Sequence, residues 1–239
     1  MLDRRRARIA AGQAVPDDLV ARLLEARDPE TGEPLPDAVI HDNLVTFIGA
    51  GHETTANALA WTLFLLSQFP DADARLAAEA KIAATPNADD LARLTETRMI
   101  LEEAMRLYPP VPFLSRQAIG ADRLGDVEVT EGTRVIIAPW VLHRHRKLWP
   151  DAELFIPERF APENRAKIPR FAYLPFGAGA RICVGMTFAM QEALLALTMI
   201  ARRFRLTLGE GAHVMPFARM TLRPMHGLPM RIEKRKSSS

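Results

Sequence analysis

The strongest constraint on this chain is the run from Asp37 to Phe69, which reads as one long helix between two punctuating prolines, Pro36 and Pro70. At 1.5 Å per residue it would extend about 50 Å. Apolar side chains, among them Phe47, Ile48, Leu63, Phe64, Leu65 and Leu66, fall on more than one of its faces. Such a helix expects burial all round, and a face left open to water is prone to aggregation. Its middle carries Gly49-Ala50-Gly51, which an efficient helix avoids at a cost of roughly 1 kcal/mol per Gly. His52-Glu53-Thr54-Thr55 follows, with Ala50 and Thr54 four residues apart on a shared face and Gly51 leaving room beside them. A threonine hydroxyl can leave the backbone ladder and open a helix locally. The segment then forms a groove offering a hydroxyl beside a carboxylate, a pair suited to passing protons. Equally, it is a plain kink with Glu53 solvated, and these residues alone leave both readings open.

Around this helix the pattern is helical with a small β portion, which predicts a mainly α fold with small β-sheets in mixed layers. Residues 1–36 hold two short amphipathic helices, Leu19, Val20, Leu23 and Leu24 recurring at helical spacing, and a turn-rich break from Asp28 to Pro36. Further helices are expected at about 71–83 and 96–108, and Pro109-Pro110-Val111-Pro112 then stops helix formation. Short β-type runs are expected at 113–119, 127–129 and 133–138, an irregular Pro- and aromatic-rich stretch at 146–182, a helix at 184–203 and strand-like pieces at 204–233. Ser237 to Ser239 reads as a disordered tail.

Composition sets limits on partners and compartment. Hydrophobic residues make up 48% and charged residues 25%, enough apolar material for a sizeable core. A net charge of +2 is too small to argue for nucleic acid, although 26 of the 31 basic residues are Arg. That skew is compatible with recognition of carboxylate or phosphate, or with genomic base composition. No apolar run reaches the roughly 20 residues of a membrane span, and Met1 to Ala11 lacks the apolar centre of a signal peptide. The chain therefore reads as soluble and cytoplasmic.

Cys183 is the one cysteine, so no intrachain disulfide and no multi-cysteine metal site can form. An isolated cysteine is usually a small buried hydrophobe. The decapeptide from Phe176 to Gly185 argues otherwise. A thiolate ligand needs donors and positive potential nearby, and a helix starting just after Cys183 supplies free N–H groups and the positive end of its dipole. Gly177, Gly179 and Gly185 remove side chains where a backbone must turn sharply or approach a flat macrocycle. Arg181 can pair with a haem propionate, and Phe176 can pack beside the sulfur and limit water access.

Phe176, Gly179, Arg181, Cys183 and Gly185 together resemble the haem-binding signature F-x-x-G-x-R-x-C-x-G of the cytochrome P450 family. Ala50-Gly51-His52-Glu53-Thr54 is similar to the family's A-G-x-D/E-T, which implies that Glu53 and Thr54 form an acid–alcohol pair for dioxygen activation. Glu103-Ala104-Met105-Arg106 and Pro157-Glu158-Arg159-Phe160 resemble its E-x-x-R helix and its P-E-R-F segment. Read alone, Glu103 and Arg106 would be a surface pair worth little. The resemblance implies a buried Glu103–Arg106–Arg159 network holding the cysteine loop from beneath. It also implies a propionate contact from Arg116, with help from His143, and a distal cavity lined by Phe47, Ala50, Val111 and Phe113. An apolar substrate is implied in turn.

The resemblance runs from about residue 15 to 233, in the family's motif order. It implies haem b as cofactor, insertion of one oxygen atom from dioxygen into an organic substrate, and a single partial domain holding the C-terminal portion of the fold, with the N-terminal half absent. No G-x-G-x-x-G follows a strand, so electrons are expected from a separate ferredoxin, flavodoxin or reductase. Two alternatives stay open: a haem-thiolate peroxygenase or isomerase, and a truncated, non-catalytic fragment that folds poorly.

Overall fold

The computed structural model describes residues 1–81 and 88–236, in two compact units, Met1–His52 and Glu53–Ser239. The expected disorder at Ser237 to Ser239, and the last residues of the helix expected at 71–83, lie outside the described residues.

The first unit holds α1 (Leu2–Ala10), α2 (Leu19–Glu25) and the opening half of α3 (Asp37–Gln68). Arginine forks tie it together. Arg5 donates through both terminal nitrogens to Asp18, each at 2.8 Å, and Arg6 pairs in the same bidentate way with Asp37. Asp18 also caps α2 by accepting from the Ala21 N–H, and these bonds hold its carboxyl down at a pKa of about 2. Between α2 and α3, Asp28 closes an Asx-type turn onto the N–H groups of Glu30 and Thr31. Ala21, Ile40 and Leu44 are buried, whereas Val45 and Ile48 are 57% and 71% exposed, so part of the apolar surface of the long helix is open over this stretch.

The second unit is organised around α5 (Thr95–Leu107), which is buried continuously from Met99 to Leu107. Helical spacing sends its residues into three clusters. Ile100, Ala104 and Leu107 pack with Leu65, Leu66, Leu76 and Ala201. Leu101 and Met105 meet Ala58, Ala193, Leu194 and Leu197, while Met99 joins Trp149, Ala152 and Phe160. These partners come from α3, α4 (Pro70–Glu79) and α8 (Met186–Arg203), and from the largely irregular stretch at 146–172, which follows the short α6 (Pro139–Leu142) and contains the short α7 (Pro162–Arg165). The start of α5 has no cap of its own, since Leu94 occupies that position. Glu79 at the end of α4 supplies one, accepting from the backbone N–H groups of Glu96 at 2.7 Å and Thr97 at 2.8 Å, and from the Thr97 hydroxyl.

Four two-stranded antiparallel sheets complete the unit among the described residues. β1 (Leu114–Gln117) pairs with β4 (Arg134–Ile137), and β2 (Asp122–Leu124) with β3 (Val127–Val129). The Asp122–Leu124 strand has no counterpart in the sequence expectation, because its three exposed residues show no apolar alternation. β5 (Phe204–Leu208) continues directly from α8 and pairs with β8 (Met230–Lys234); β6 (Pro216–Ala218) pairs with β7 (Leu222–Pro224). Arg235 ties the first of these sheets to α4 by donating to the buried Asp73 at 2.5 Å.

The proline stop becomes a junction. Prolines bring carbonyls without N–H donors. The Pro110 carbonyl accepts from the Leu222 N–H at 2.8 Å, and the Pro112 carbonyl accepts from the Trp140 N–H at 3.2 Å. Trp61 of α3 donates its indole N–H to the Leu222 carbonyl at 3.0 Å and stacks on Tyr108, with 4.1 Å between ring centroids. No described helix is long and apolar enough to cross a membrane.

Candidate haem-thiolate site

The cysteine loop is fixed by its own backbone. The Cys183 N–H donates to the Phe176 carbonyl at 2.9 Å, closing the loop at its neck. Gly177 and Gly179 take φ values of +73° and +72°, a left-handed region that a side chain would strain. A Cβ at Gly177 would also reach Leu114 of β1 at 3.6 Å. Gly185 is the N-cap of α8, and a Cβ there would lie 3.9 Å from the Cys183 sulfur. The helix begins at Met186, two residues later than the expected 184, because Val184 and Gly185 complete the turn that presents the sulfur. Phe176 packs against the cluster of Ala58, Leu101, Met105 and Leu194, so the loop's first residue is anchored to three helices.

The chemical face of the loop is uncommitted. Cys183 is a free, exposed thiol. Arg181 and Arg116 are both exposed, and among the described residues neither pairs with a carboxylate; Arg116 donates only to the Ser115 carbonyl. Ile182, Val184, Phe188 and Phe113 are exposed apolar groups, Phe188 at 70% and Val184 at 83%. A soft sulfur ligand, unspent guanidinium groups for two propionates and apolar side chains for a macrocycle make a donor set that fits haem. Val111 is half-buried beside Pro112.

Beneath the loop lies the opposite kind of chemistry. Glu103 and Arg106 are completely buried. All five N–H donors of Arg106 are used: two on Glu103 at 2.7 and 2.8 Å, and three on the carbonyls of His143, Ala152 and Leu154 at 2.7 to 2.9 Å. Glu103 also accepts from the Ile156 N–H at 2.8 Å. The Arg159 Nε lies 3.4 Å from Glu103 without hydrogen-bond geometry, and Arg159 instead donates a hydrogen bond to the Asp151 carbonyl. Burial pushes the Glu103 carboxyl up from its usual range, with Arg106 pulling against it.

His143 links the two regions. It is fully buried, its Nδ1 meets the Arg106 carbonyl at 3.2 Å, and its Nε2 accepts from the Leu174 N–H at 2.8 Å. That pattern demands the neutral ring with its proton on Nδ1. Burial lowers its pKa to about 4. The expectation that His143 assists at a propionate does not fit this placement, since both ring nitrogens are engaged inside the protein. Sequence offered no sign of the Leu174 contact, which depends on how an irregular segment folds back.

On α3, the backbone is α-helical throughout Ala50 to Thr55, so the local opening expected there is not found. Phe47, Ala50 and Gly51 lie in the first unit, and a Cβ on Gly51 would meet no described atom within 4 Å. Glu53 and Thr54 open the second unit, Glu53 exposed and Thr54 half-buried. Glu53 Oε1 accepts from the Thr221 hydroxyl at 2.7 Å, a partner that sequence reasoning missed because 168 residues separate the two.

An exposed cysteine on a closed loop, packed through Phe176 against the helix that carries the buried Glu103–Arg106 pair, fits a haem-thiolate class of protein, and comparison with known proteins points the same way. The model of the family described as Cytochrome P450 matches residues 1–230. The chain belongs to the cytochrome P450 family. Cyclooctatin synthase of Streptomyces melanosporofaciens is 40% identical over 208 residues, 86% of this chain and 45% of that protein. Pentalenene oxygenase of Streptomyces avermitilis is 38% identical over 222 residues, 92% of this chain and 49% of the relative. The crystal structure of the cytochrome P450DA heme domain superposes with a TM-score of 0.89 at 36% identity, covering 97% of this chain and 51% of that one. The chain thus spans about half the length of the relatives it matches.

Proposed function

We propose that the chain binds haem b through Cys183 and belongs to a monooxygenase that inserts one oxygen atom of dioxygen into an apolar small molecule. When bound, the haem supplies the iron at which dioxygen is activated. Cys183 would supply the sulfur ligand, from its place just before the N-terminal end of α8 and two residues from Arg181. Arg181 and Arg116 each take a propionate, and Phe176 limits water at the sulfur. Glu53 and Thr54 would hold and pass protons to the bound dioxygen. Val111 and Phe113 would border an apolar substrate, and Glu103, Arg106 and Arg159 keep the scaffold beneath the loop rigid. Electrons come from a separate ferredoxin, flavodoxin or reductase, in the cytoplasm.

The observation carrying this reading is the free, exposed Cys183 sulfur on a loop whose backbone is closed by its own N–H. The test is the absorption spectrum of the haem-loaded, reduced chain under carbon monoxide. A thiolate-type Soret shift is expected, and Cys183→His should convert it to a neutral-ligand type. Failure to take up haem, or a neutral-ligand shift in the unaltered chain, would overturn the reading.

A further inference from the structure

The hydrogen bond from Thr221 to Glu53 has no part in the proposal above. We infer that Thr221 is a positioning residue, which holds the Glu53 carboxylate in the direction needed to pass a proton. The inference rests on the reading of Glu53 as a proton carrier.

A glutamate on an exposed helix face samples many rotamers, and ordering it requires a fixed partner. Glu53 is exposed, and its partner is fixed. Thr221 stands in the turn joining β6 to β7, whose register pairs Ala218 with Leu222 and Phe217 with Arg223. Within that turn the Arg219 N–H donates to the Thr221 carbonyl at 3.0 Å. The next residue, Leu222, is 2% exposed and held on both sides of its peptide: its N–H donates to the Pro110 carbonyl, and its carbonyl accepts from Trp61. Trp61 lies on the same helix as Glu53, about 12 Å farther along the axis. The hairpin is therefore fastened to α3 at two heights, and the upper fastening is the Thr221 hydroxyl. A β-branched side chain is stiff at χ1, so the hairpin backbone dictates where that hydroxyl points. Among the described residues Glu53 Oε2 has no partner. One carboxylate oxygen is clamped and the other is presented.

Two variants separate a hydroxyl clamp from mere packing: Thr221→Val keeps the shape and removes the donor, and Thr221→Ser keeps the donor. The chain is labelled with carboxyl-13C glutamate, and the infrared band of Glu53 is isolated by subtracting the Glu53→Gln spectrum. Thr221→Val is expected to shift that band and Thr221→Ser to restore it; an unmoved band in Thr221→Val overturns the inference. The second measurement uses the haem-loaded chain, reduced through a ferredoxin and its reductase, and reads the fraction of consumed dioxygen returned as hydrogen peroxide. Thr221→Val is expected to change this fraction severalfold in the same direction as Glu53→Gln, with Thr221→Ser near the parent. If Glu53→Gln itself changes nothing, the reading of Glu53 fails, and the positioning role with it, even where the infrared shift is present. If Glu53→Gln alters the fraction and Thr221→Val does not, the positioning role alone is overturned.

Discussion

Arg106 and Arg181 carry the same guanidinium and are used in opposite ways. Arg106 is completely buried with all five donors spent on protein acceptors, whereas Arg181 is exposed beside Cys183 with no carboxylate partner among the described residues. The first region commits every polar group to its own fold, and the second withholds them. Rigidity below accompanies free groups above: the Cys183 N–H is held by the Phe176 carbonyl, and His143 holds the Leu174 N–H two residues before that phenylalanine.

The contrast can be broken most severely at Arg106. Arg106→Ala is expected to cost about 3–5 kcal/mol by stranding Glu103 in the core, read as a fall in the denaturant midpoint of the haem-free chain. Arg106→Lys should recover little, because three donors on a point charge cannot replace a five-donor fork. Next comes acid sensitivity at His143. Its folded pKa of about 4 lies below the usual 6.5, so the unfolded chain binds more protons between those values. Stability from this group is therefore complete above pH 6.5 and lost as pH falls toward 4, amounting to roughly 3 kcal/mol. Measuring unfolding free energy against pH for the parent and for His143→Gln isolates the effect, and parallel curves would refute it. Glu79→Ala should cost about 1–2 kcal/mol through the lost cap on α5, measured the same way. Smallest of all, Cys183→Ala is expected to leave stability within about 0.5 kcal/mol while abolishing the thiolate-type spectrum. A large loss of stability there would show that the thiol serves the fold after all.

Much of this architecture was legible in the sequence for a specific reason. Helices bounded by prolines, such as Asp37–Gln68, and a glycine-spaced cysteine loop advertise themselves locally, because caps, breakers and φ constraints act within a few residues. Glu103 and Arg106 were legible as an i, i+3 pair, and their burial followed from resemblance and not from their spacing. What stayed hidden depends on irregular segments returning. Arg106 is satisfied mostly by carbonyls, which any residue type supplies, so nothing at 143, 152 or 154 signals the contact. The same is true of Leu174 on His143 and of Thr221 on Glu53. At Ala50 to Thr55 the backbone stays α-helical, because glycine and threonine permit a distortion without requiring one.

The start of α5 carries one more consequence. Its first N–H groups are satisfied by Glu79 of α4, so the helix that organises the second unit is completed only when another helix docks. In native-state hydrogen exchange, the amides of Glu96 and Thr97 should open together with α4 and not by fraying from the end of their own helix. Assembly of this half of the molecule then couples two elements, because docking of α4 completes the hydrogen bonding at the start of α5.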